Sequence, residues 1–151
     1  MNDAILAAHV FFGTLGFGIA IAFDVILVAV ARSRRIDLIG AAYNLVWRYT
    51  PLAGYCFLFA IVIGVGIALQ KHESLASRWL LISYGWLLVA GGTNGAVIGR
   101  RTRRILAAIE ASGGEMTDEL ERTLSRAWPL GACIVAVAMF ALIGLMIAKP
   151  G

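Results

Sequence analysis

Two ionisable side chains stand inside long apolar runs of this 151-residue sequence, His9 and Asp24. Charge is costly in a bilayer, so an ionisable group there is a functional hypothesis by default. A neutral imidazole ligates haem iron or a metal ion. A carboxylate can carry protons. Fifteen residues separate the two groups, which is about 22 Å along a helix, with directions about 60° apart. They share a broad face and cannot touch. Chain order puts Tyr84 and Trp86 at the depth of His9, and Thr93 and Asn94 at the depth of Asp24. His9 is expected either to bond across helices, to Tyr84, or to bind haem or a metal. A second axial ligand would then come from Met146, Met139 or another protomer. His72, in a short loop, is a ligand only near the surface. Asp24 is expected to bond Asn94 or Thr93, to reach a loop arginine, or to carry protons in a small transporter.

The remaining chemistry-bearing residues are few. Cys56 and Cys133 both fall inside apolar stretches. They form neither a disulfide framework nor a zinc pattern. At a shared depth they suit small apolar packing better than a soft-metal site with methionines. Phosphate-loop, dinucleotide, hydrolase-elbow and zinc-protease motifs are missing.

The elements that must position His9 and Asp24 follow from composition. Of all residues 60% are hydrophobic and 15% charged, and the mean hydropathy is +0.84. Average soluble domains are about 25% charged. Such a chain has too little polar surface to cover a globule in water. Composition excludes a disordered chain and a nucleic-acid-binding domain, and disfavours a soluble enzyme. A membrane-spanning helix needs about 20 mostly apolar residues. Four segments qualify: about 4–31, 51–69, 79–99 and 128–148. Thr50 reads as an N-cap, with Pro51 at the first helical position of the second span. The Met-Asn-Asp start lacks the positive region of a signal peptide, so the first span is expected to be retained. The fold class is all-α: a polytopic four-transmembrane-helix bundle forming one membrane domain.

Charge orients it. Arg32, Arg34, Arg35 and Arg48 lie between spans one and two. Arg100, Arg101, Arg103, Arg104, Arg122 and Arg126 lie between spans three and four. These are ten of the thirteen basic residues. The positive-inside rule makes both loops cytoplasmic and both termini external. Trp47, Tyr49 and Trp128 mark the inner interface and Trp79 the outer one. Ser33 to Arg48 has the mixed polarity of a short interfacial helix. Span three is expected to continue as a helix to Ala111, break at Ser112-Gly113-Gly114, and return through a helix capped by Thr117. This cytoplasmic hairpin either connects two spans or docks a partner. The Arg100–Arg104 cluster also suits anionic lipid headgroups.

Small residues suggest the packing. Gly91, Gly95 and Gly99 recur every four residues in span three, as do Gly16, Ala20 and Asp24 in span one. Such stripes let helices approach closely, and spans one and three are expected to pack through them. Four helices enclose little space for a site. A homo-oligomer or a partner in a membrane complex is therefore expected, with the lipid bilayer as the constant partner.

The pattern as a whole resembles a known type. His9, Val10 and Gly13 come early in span one, and an Arg-rich loop follows. Gly64 or Gly66 comes near the end of span two, and a tryptophan opens span three. A basic-then-acidic hairpin precedes span four. This is similar to the predicted integral membrane proteins of the DUF type in the bacterial inner membrane. These distantly resemble HemJ-type protoporphyrinogen oxidase and CopD-type membrane domains. The resemblance implies a role for His9 in binding haem b and, at its furthest, a porphyrin oxidoreductase activity. HemJ-type proteins also use a span-three lysine. The lysines here are Lys71 and Lys149, outside that span.

Overall fold

The computed structural model describes residues 3–92, 99–125 and 130–148, and every regular element among them is helical. In order these are α1 (Asp3–Ala31), α2 (Ile36–Gln70), α3 (Arg78–Gly92), α4 (Gly99–Ala111), α5 (Asp118–Ser125) and α6 (Leu130–Ala148). By length and composition α1 and α2 can cross a membrane. At 29 and 35 residues they are about 43 and 52 Å long, against a hydrocarbon core of about 30 Å.

The two long helices form an antiparallel hairpin. Gly16 faces Cys56 and Phe57, and Gly13 faces Ala60. Phe12 lies against Phe59 with ring centroids 5.5 Å apart. The small-residue stripe of α1 thus packs on α2. A Cβ at Gly16 would meet the Phe57 ring at 3.2 Å, whereas one at Gly91 meets nothing within 4 Å. The expected pairing of spans one and three through Gly91 does not occur among the described residues. Gly99 lies beside the Trp47 ring, and Gly95 is outside the described residues.

Pro51 does not begin α2. The helix starts at Ile36 and runs through the proline. Thr50 is no cap, because its hydroxyl donates back to the Val46 carbonyl at 2.6 Å. Tertiary packing overrides the local signal. Ile39, Tyr43 and Val46, all before the proline, are fully buried, which holds that stretch helical. The separate interfacial helix expected over Ser33–Arg48 is therefore the first part of α2.

The core has two parts. One holds Phe17 and Ala20 of α1, Ala90 of α3, and Val135, Ala138 and Leu142 of α6. The other holds Leu27 and Ala31 of α1, Ile39, Tyr43 and Val46 of α2, Ile105 of α4, and Leu120 and Leu124 of α5. The α4–α5 hairpin is thus docked onto the ends of the long helices. It turns where Gly113 and Gly114 take positive φ, 63° and 85°. The Gly114 and Gly113 N–H groups donate to the Ile109 and Glu110 carbonyls, which satisfies the end of α4. The Thr117 hydroxyl then accepts the Leu120 N–H. An exposed Arg34–Glu121 ion pair at 2.7 Å ties the α1–α2 turn to α5. Such pairs contribute about 1 kcal/mol at most.

Candidate functional site

His9 is held by α2. Its Nδ1 lies 2.7 Å from the Ala60 carbonyl oxygen. A carbonyl only accepts, so Nδ1 carries the proton and Nε2 keeps its lone pair. Gly64 makes this approach feasible. In a helix each Cα–Cβ bond tilts toward the N-terminus, so a side chain at position 64 would overhang the carbonyl of residue 60. A Cβ there would stand 2.7 Å from His9 Cε1 and 3.1 Å from Nδ1. The ring thus lies in a seat left open by a missing side chain. His9 is half-buried, while Leu6 and Val10 beside it are exposed. Among the described residues Nε2 has no hydrogen-bond partner.

The expected partner, Tyr84, is half-buried on α3, and it is the Ala60 carbonyl that accepts the His9 N–H. Sequence reasoning reads Gly64 as a packing or helix-bend position, and not as the seat of His9. A direct signal was present: Cys56, Ala60, Gly64 and Ala68 recur every four residues on α2. They form the small-residue counterpart of His9, Gly13 and Gly16.

Asp24 is buried on α1 at 8% exposure. The hairpin register carries it to the level of Trp47, Arg48 and Tyr49. Tyr43 feels the charges of both Asp24 and Arg101. Arg101 also donates to the Thr123 carbonyl of α5 at 3.4 Å. The carboxylate sits between Ala20 of one part of the core and Leu27 of the other, where the two parts meet. Asn94 and Thr93, its other expected partners, lie outside the described residues.

The remaining candidates are dispersed. Met139 packs at the edge of the first core cluster. Met146 lies in α6, and its side chain is not described. His72 follows the end of α2 with φ 54°. Glu73 and His72 N–H groups there donate to the Ala68 and Leu69 carbonyls. His72 thus fills the left-handed capping position usually taken by glycine. Cys56 is buried and Cys133 exposed, both free. Among the described residues no three His, Cys, Asp or Glu side chains gather into a metal site.

No curated protein and no solved structure matches the chain. A family match covers residues 3–150, nearly the whole length. The long apolar helices and the side chains paired between them are thus features of a membrane protein, and the chain belongs to the family described as predicted integral membrane protein (DUF2269).

Proposed function

We propose that this protein is a four-span bundle of the bacterial inner membrane in which His9 is an axial ligand of haem b. The observation that carries this reading is the Nδ1–H donated to the Ala60 carbonyl. Ligating histidines characteristically donate their other ring N–H to a carbonyl or carboxylate, which fixes the tautomer and orients the ring. The residues present fit one axial ligand. Nε2 is the free nitrogen, and Gly64 leaves room for the ring that bears it. A second ligand would come from Met146, Met139 or another protomer. Bound haem would supply one-electron chemistry. The protein holds the imidazole in one orientation, against the Ala60 carbonyl and over Gly64.

The test is the visible spectrum of the detergent-purified protein, oxidised and reduced. A Soret band is expected in the wild type. His9→Ala should abolish it, and His72→Gly should leave it unchanged. A protein that stays colourless after haem supplementation, or a band that survives His9→Ala, would refute the assignment.

The proposed topology uses α1, α2, α3 and α6 as spans, with about 51–69 as the membrane part of α2 and spans three and four at about 79–99 and 128–148. Both termini are external and the Arg-rich segments cytoplasmic. The positive-inside rule supports this orientation. It is tested by thiol labelling in a background lacking both native cysteines. Ser112→Cys should be shielded from a membrane-impermeant reagent in intact cells, and Ser74→Cys should react. The reverse pattern overturns the orientation.

A further inference from the structure

We propose that Trp47, Arg48, Arg100, Arg103 and Arg104 form a binding face for the headgroup of an anionic phospholipid. Positions 100, 103 and 104 share one side of α4 and are exposed, while Thr102 and Ile105 on the other side are buried. The arginines are thus directed outward by the packing of the opposite face. The Arg103 guanidinium carbon lies 4.6 Å from the Trp47 ring centroid. Gly99 also lies beside the indole, where a Cβ would stand at an ordinary contact distance of 3.9 Å. Stacking uses the flat face of the guanidinium and leaves its edge N–H groups free. Those donors match a phosphate bidentately.

Charge balance around the face points the same way. Among the described residues none of Arg48, Arg100, Arg103 and Arg104 has an ion pair. Arg34 pairs with Glu121 and Arg35 with Asp37, near the start of α2. Of the α4–α5 hairpin carboxylates, Glu119 lies on the side of Arg101, Arg122 and Thr123 and Glu121 is taken by Arg34. Arg100, Arg103 and Arg104 are therefore three exposed cations on one side of α4, with Arg103 stacked on Trp47 and Arg48 next to that tryptophan in α2. Trp47 and Tyr49 beside them are exposed, as aromatic residues at headgroup level are. In an integral membrane protein the anion available at that level is the lipid phosphate. Phosphatidylglycerol carries it with net charge, and phosphatidylcholine does not.

Native mass spectrometry of the full chain in mild detergent, with added dioleoyl phosphatidylglycerol or dioleoyl phosphatidylcholine, tests this. Each basic residue near a membrane surface contributes severalfold to anionic-lipid affinity, so the wild type should retain phosphatidylglycerol on the order of tenfold better. The combined Arg100→Gln, Arg103→Gln and Arg104→Gln variant should lose that preference. Should it not elute as a single species, Arg103→Gln alone should weaken retention, and Arg103→Lys should restore part of it. The preference should also collapse in about 1 M salt, where the screening length is about 3 Å. Equal retention of both lipids by the wild type, or an undiminished preference in the variants, overturns the proposal. So does soluble heparin bound as tightly as the lipid.

Discussion

Gly64→Ala is expected to destabilise the α1–α2 hairpin by about 1–2 kcal/mol, with no such loss when His9 is already alanine. The added Cβ would stand 2.7 Å from His9 Cε1. The imidazole can rotate away, so the clash itself is relieved cheaply. The hydrogen bond cannot survive that rotation. Interhelical hydrogen bonds in membranes average about 0.6 kcal/mol and reach about 1.7. A donor left without a partner away from water costs about 1–3 kcal/mol. Against this, alanine gains up to about 1 kcal/mol in helix propensity over glycine. The net sign is a loss while His9 is present. In a His9→Ala background only the propensity term remains, and Gly64→Ala should be neutral or stabilising. Unfolding of the four variants in mixed micelles, followed by far-ultraviolet circular dichroism, completes the cycle. Additive effects would show that His9 does not depend on the Gly64 seat. The same substitution should shift the absorption bands of the haem-loaded protein, because it changes imidazole orientation without removing the ligand.

His9 and Asp24 were legible in the sequence because ionisable groups stand out against an apolar background. The break after Ala111 was legible for an equally local reason, since Gly113 and Gly114 supply the positive φ that the turn adopts. What failed was inference across helices. Small residues at a spacing of four say that a helix can be approached, and not by which neighbour. The stripe of span one matches Gly91, Gly95 and Gly99 of span three and Ala60 and Gly64 of span two equally well. Pro51 misled for a different reason. It is favourable at a helix start, but burial of Ile39, Tyr43 and Val46 outweighs its interruption of the ladder. Those three residues also explain why the Arg-rich segment is more than a connector. Its apolar positions complete a core with α4 and α5, contacts that no single helix's pattern contains.

That second core leads to the other large effect. Ile105→Ala is expected to cost about 2–5 kcal/mol and to release the α4–α5 hairpin. Ile105 is 0% exposed and packs among Leu27, Ile39, Tyr43, Val46, Leu120 and Leu124. With eight residues, α5 is too short to hold helical form alone. Its anchors are Leu120, Leu124 and the exposed ion pair to Arg34, and that pair is the weak one. Trypsin cleavage at Arg100–Arg104 and Arg122 should therefore rise about thirtyfold or more, the factor that matches 2 kcal/mol. Leu142→Ala in α6 is the informative comparison. Leu142 is also buried, at 5% exposure, but in the cluster shared with α1 and α3. If that cluster lies within the bilayer, unfolding moves its side chains into lipid rather than water. Lipid tails are as apolar as leucine, so truncation there forfeits packing and little transfer energy. If the Ile105 cluster lies outside, truncation there loses both terms. Ile105→Ala should then be the costlier of the two, although leucine and isoleucine have nearly the same volume. Equal costs would place both clusters in the same solvent.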